Sequence, residues 1–160
     1  MAPRGLCPSL LLSLVLLPAS LALLPLPNGC SEFRKNHVDF PRTTPPRGQS
    51  YCNYMMPKVR QNLCGCSSVH TFLHLSPFQL PALCGCRGKG LHPAKQCTSK
   101  TPVSLTQCYG KAQPDGSCRY RGRRQWSKVR VSCSFGLPVG IVRVLPGTGG
   151  GCKGPGVPDP

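Results

Sequence analysis

Arg119, Arg121, Arg123, Arg124, Lys128 and Arg130 fall within twelve residues, interleaved with Tyr120 and Trp126. Guanidinium forks match phosphate and sulfate, and aromatic faces accept stacked bases. On a strand, Arg119, Arg121 and Arg123 share one face. The bland alternative is a solvated hairpin with no partner, but the chain has little to neutralise such charge. It carries 20 Lys and Arg against 4 Asp and Glu, a formal net charge of +16. Four carboxylates leave almost no material for paired-carboxylate catalysis or calcium cages. The balance instead favours polyanions: nucleic acid, an anionic membrane or a sulfated glycan. Arg34, Lys35, Lys58, Arg60, Arg87, Lys89 and Lys95 add to the field.

The twelve cysteines carry the other chemistry. Cys64-Gly-Cys66 and Cys84-Gly-Cys86 invite a zinc reading, yet a one-residue spacer suits a single tetrahedral site less well than two. No metal and no cofactor are expected. The N-terminus decides the redox compartment. A basic start at Arg4, an apolar run from Leu10 to Leu17, Pro18 and then Ser20-Leu21-Ala22 have the layout of a secretory signal over residues 1–22. A secreted, extracellular chain reads its cysteines as disulfides. Cys7 leaves with the leader, and the eleven that remain are odd in number. One has no partner within the chain, which opens the option of a disulfide-linked dimer.

The elements that hold these residues are short. The 19 Pro, the 18 Gly and an aromatic content of 6% rule out a large core, so covalent bridges must support a small one. The pattern predicts a helix over 30–40 ended by Pro41, a linker over 41–50, and a second helix over 51–62 disturbed by Pro57. A strand is expected at 68–75, a helical turn at 77–84, and a basic loop at 86–100. Further strands are expected at 101–109, 117–123, 127–134 and after Gly140. The tail from residue 146 has no periodicity and reads as disordered. Few helices and several strands clipped by disulfides indicate an α+β domain over 23–145.

Three blocks then resemble the pancreatic-type ribonuclease (ribonuclease A) superfamily, most of all its avian leukocyte ribonucleases and angiogenins. FRKNHVDFP resembles the first-helix block with its catalytic histidine, YCNYMM the second-helix block, and CSSVHTFLH the C-K-x-x-N-T-F block. CSFGLPV resembles the strand that leads to a second histidine. The resemblance spans about residues 31–142. It implies short helices plus a bent antiparallel sheet forming a cleft. It also implies the bridges Cys52–Cys108, Cys66–Cys118, Cys84–Cys133 and Cys86–Cys97, leaving Cys30, Cys64 and Cys152 outside the pattern.

The resemblance further implies RNA cleavage by attack of a ribose 2′-hydroxyl on its own phosphate. Two imidazoles act as base and acid, and a lysine stabilises the phosphoryl charge. His37 stands where the base stands. Asn36 replaces the phosphate-contacting glutamine, Lys35 adds phosphate-binding charge, and Thr71 matches the threonine that reads a pyrimidine. His74 matches a structural histidine. Ser67, however, occupies the position of the lysine, Gly140 that of the acid histidine, and His70 that of an asparagine. Ile141 and Val142 replace the aromatic and carboxylate that follow. The expectation is a secreted cationic binder of nucleic acid or other polyanions, in host defence or angiogenin-like signalling, with catalysis lost or very weak. The alternative is a pyrimidine-preferring endoribonuclease working through His37. His70 offers a substitute acid only if it faces the cleft, and strand alternation sets it on the face opposite Thr71.

Overall fold

The computed structural model describes residues 28–59, 66, 69–88 and 94–146. The expected leader (1–22), the tail beyond Pro146, Ser67, Cys64 and Cys152 lie outside the described residues. Helix α1 (Asn28–His37) is followed by α2 (Tyr51–Val59), β1 (Val69–Leu73), a 3₁₀ helix (Pro77–Cys84), β2 (Gln96–Thr98), β3 (Val103–Ala112), β4 (Cys118–Ser127), β5 (Val129–Ser134) and β6 (Leu137–Val144).

Each helix buries one stripe. In α2, Tyr51, Cys52, Met55, Met56 and Val59 point inward. Ser50 starts it by accepting the Asn53 N–H on its hydroxyl at 3.4 Å. In α1, Cys30 and Phe33 are the buried residues, and Arg34, Lys35 and His37 close the last turn, where cations suit the helix dipole. The helix stops at His37 rather than at Pro41, because Val38 and Asp39 leave it to pair with a strand. The turn predicted at 77–84 is a 3₁₀ helix. The Ser76 N–H donates to Gln79 Oε1 at 2.9 Å across its start, and Leu80 and Leu83 are its buried residues.

The strands form two antiparallel three-stranded sheets, ordered β1-β3-β4 and β2-β5-β6. The stretch 86–100, read as a loop, contains β2, since Cys97 is drawn into register with Val131. The strands predicted at 101–109 and 117–123 run on as a ten-residue hairpin, β3 with β4. Its turn is built by Asp115, whose carboxylate accepts the Ser117 N–H and hydroxyl, and by Gly116 at φ 81°. The last strand starts at Leu137, earlier than Gly140.

The β1-β3-β4 sheet carries a core on each face. Leu73, Leu105 and Val103 join Phe33, Leu80, Leu83, Val129 and Val131 on one side. Phe72, Cys108 and Tyr120 meet Tyr51, Met55 and Met56 of α2 on the other. Disulfides join α2 to β3 (Cys52–Cys108), residue 66 to β4 (Cys66–Cys118), the 3₁₀ helix to β5 (Cys84–Cys133), and close the basic loop (Cys86–Cys97). Cys30 is unpaired and buried, so it offers no thiol for a dimer while α1 is docked. No helix among the described residues is long and apolar enough to cross a membrane.

Candidate active site

Strand β1 is an edge of its sheet, and its outer carbonyls are claimed by the end of α1. Val38 forms a parallel bridge with Leu73, and the Asp39 N–H donates to Leu73 O at 3.0 Å. One step earlier, His37 Nδ1–H donates to Thr71 O at 2.9 Å. That bond fixes the tautomer and leaves the Nε2 lone pair of His37 as a base. His70 returns the contact: its Nε2–H donates to Asn36 O at 2.7 Å. Helix and strand thus hold each other by two reciprocal histidine–carbonyl bonds.

The two imidazoles stack, with ring centroids 4.6 Å apart and planes 11° from parallel. Phe33 lies against His37 and Phe72 edges onto His70. Burial among these rings lowers the pKa of His37, opposed by its bond to Thr71. His70 is pushed down to about 4, first by burial and then by repulsion from His37, with the bond to Asn36 opposing. Both rings are therefore neutral near pH 7. Alternation does set the His70 side chain on the face opposite Thr71. It reaches His37 because α1 wraps the edge of β1, which the strand pattern alone does not reveal.

Thr71 is buried, and its row on the sheet runs Thr71, Gln107, Arg123. Gln107 Oε1 accepts from Tyr109 Oη at 3.0 Å and from Gln125 Nε2 at 2.8 Å. Those amides and the phenol were not picked out from the sequence, where Gln carries little signal. The Asn36 side chain turns along the helix to Glu32 Oε2 at 3.4 Å. Lys35, two residues from His37 and so on another side of the helix, lines a separate groove with Ser31, Arg34, Val38, Phe40 and Pro77.

Gly140 sits in β6 opposite Ser132 of β5, and its carbonyl accepts from Ser132 Oγ at 3.3 Å. A Cβ at this position would stand 2.8 Å from Ser132 Oγ. The position therefore offers no proton donor of its own.

A second constellation supports the site. Asp39 Oδ2 accepts from Tyr51 Oη at 2.7 Å and from the Thr43 N–H at 2.9 Å, and Oδ1 accepts from Thr43 Oγ1 at 2.6 Å. His74 donates from Nδ1 to Asp39 O at 3.0 Å and accepts Thr106 Oγ1–H on Nε2 at 2.9 Å. With both nitrogens occupied, His74 is a packing group. Asp39 escaped the sequence reading, although a carboxylate between Val38 and Phe40 in so acid-poor a chain was a usable signal.

On β4, Arg119, Arg121, Arg123 and Arg124 are exposed, and Arg119 faces Lys111 across the hairpin. Lys128 precedes β5, and Arg130 lies opposite Arg143 of β6. Among the described residues, none of these cations is paired with a carboxylate. Among the described residues, no three His, Cys, Asp or Glu side chains gather as a metal site.

Residues 29–142 match the family model described as pancreatic ribonuclease. The chain belongs to the pancreatic ribonuclease family. It is 31% identical to the pancreatic ribonuclease of Iguana iguana over 117 residues, covering 72% of this chain and 97% of that protein. It is 34% identical to the angiogenin of Gallus gallus over 117 residues, covering 72% of this chain and 80% of that protein. Among solved structures, green turtle egg white ribonuclease superposes with a TM-score of 0.60 at 30% identity, covering 73% of this chain and 98% of that one.

Proposed function

We propose that this chain is a secreted, cationic ribonuclease-family protein that binds RNA or related polyanions and has no effective catalysis. Residues 1–22 serve as its secretory leader. The observation that carries the reading is the half-furnished site. His37 holds a base lone pair, while Gly140 brings no acid and its neighbour Ser132 Oγ is committed to a carbonyl. A stacked second imidazole does not repair this. His70 lies on the same side as the base, and the leaving 5′ oxygen needs its proton from the opposite side. Loss of a positioned acid costs about 10²–10⁴ in rate, and loss of the phosphoryl cation about 10²–10³. Binding is supported by the face of β4 that carries Arg119, Arg121 and Arg123, with Lys128 and Arg130 beyond it. Host defence or angiogenin-like signalling would use that face, on extracellular RNA, heparan-type glycans or bacterial envelopes.

Two measurements test the reading together. The refolded chain should be retained on heparin and should bind RNA with an affinity that falls steeply with salt. Replacing Arg119, Arg121 and Arg123 by Ala should reduce the slope of log affinity against log salt by about two to three, since each lost phosphate contact removes about 0.7–0.9. Pyrimidine-containing RNA should be cleaved no faster by the native chain than by His37→Ala. Robust cleavage that His37→Ala abolishes establishes the alternative, a working endoribonuclease; indifference to heparin at low salt removes the binding reading.

A further inference from the structure

A groove of about 580 Å³ lies between the 3₁₀ helix, residues 99–102 and the ends of β3 and β4. Its walls are largely apolar, built by Leu75, Ala82, Leu83, Pro102 and Val103. Two large aromatics stand exposed at it: Phe40 is 53% exposed and Trp126 68%. Two of the polar side chains inside are already bonded, His74 to Asp39 O and Thr106, and Ser99 Oγ to Thr101 O.

The rim is cationic. Lys100 lines the groove and is exposed. Arg124 precedes Trp126 by two residues on the same sheet face, and its charge acts on the His74 ring at the groove. No carboxylate lines this groove. The groove is lined by none of His37, His70, Thr71 and Gln107, so it is a separate site.

An uncovered indole, apolar walls and unpaired cations select a planar ligand that carries negative charge. A sulfated glycan supplies charge but no planar aromatic ring, and a fatty chain supplies no planar face. We propose that the Trp126–Phe40 groove is a nucleobase-stacking site for single-stranded nucleic acid, with the base against the Trp126 indole and flanking phosphates on Lys100 and Arg124. The proposal shares with the reading above only the choice of a polyanionic partner, and it does not depend on His37.

Trp126 is the sole tryptophan of the chain, so its fluorescence reports this groove alone. The probe is a deoxyadenylate tetramer, which has no 2′-hydroxyl and resists cleavage. Saturable quenching is expected, and it persists in His37→Ala. By anisotropy of a labelled tetramer, Trp126→Ala should weaken binding about tenfold or more, whereas Trp126→Phe retains most of it. Lys100→Glu should weaken binding further and make it less salt-dependent. Equal affinity of the native and Trp126→Ala proteins, or the same quenching by a heparin-derived oligosaccharide, overturns the proposal. Retention of the Trp126 response in a protein that ignores heparin removes the polyanion reading and leaves this site standing.

Discussion

Replacing His70 by Asn should flatten the acid limb of the stability curve. In the folded chain the His70 pKa stands at about 4 against an ordinary 6.5. Its folded value is depressed, so the unfolded chain takes up the proton first as the pH falls. The stabilisation is complete above about pH 6.5 and disappears progressively down to about pH 4. That interval of roughly 2.5 units corresponds to about 3 kcal/mol. The stacking geometry gives the same scale. Two unit charges at the 4.6 Å separation of the rings repel by about 1–4 kcal/mol for effective dielectric constants between 80 and 20. His37 and His74 are also held down by burial and titrate in both proteins, so they largely cancel in the difference. Asn is shorter and does not extend to the Nε2 position that reaches the Asn36 carbonyl, so a constant loss is expected at all pH values and only the change with pH is compared. Urea unfolding of both proteins, followed by circular dichroism at several values between pH 7.5 and 4, reads the effect. The native chain should lose about 3 kcal/mol more than His70→Asn across this range. Parallel curves would refute the buried, mutually repelling histidine pair.

Two other outcomes test the proposed site and the group that supports it. Combining Ser67→Lys, Ser132→Ala and Gly140→His should raise cleavage of a fluorogenic uridine-containing substrate by about 10²–10⁴ over the native chain, and Gly140→His without relief at Ser132 should do less; no gain from the triple variant would show that β6 does not face the His37 site. Asp39→Ala removes a buried acceptor from Tyr51 and Thr43, and should cost about 3 kcal/mol in urea unfolding while heparin retention of the folded protein is unchanged; a loss below about 1 kcal/mol would show that water replaces these bonds.

The parts of the fold that were legible in the sequence are those written in local chemistry. Alternation marked β1 and β5, and Pro114-Asp115-Gly116 sits at the turn of the long hairpin. The block around His37 placed that residue at the end of a short helix. What stayed hidden depends on contacts between distant segments. β2 has three residues and exists because β5 offers it a ladder, so no periodicity announces it. The His37–His70 stack arises where α1 curls around a sheet edge, a placement that neither the helix nor the strand encodes alone. Gln107 meets Gln125 only through cross-strand register. The groove beside Trp126 likewise combines residues 40, 75–83, 99–104 and 126, four stretches with no shared pattern.

The unpaired cysteine of α1 carries a practical consequence. Cys30 is 2% exposed, on the helix that the histidine bonds fasten to β1. An alkylating reagent reaches its sulfur only when that helix lifts, so the labelling rate in the native protein measures how often the fastening lets go. Peptide mass distinguishes this adduct from any at Cys64 or Cys152. Acidification, by charging the imidazoles that hold the helix, should quicken detachment, so this thiol acts as a clock for the opening of the cleft.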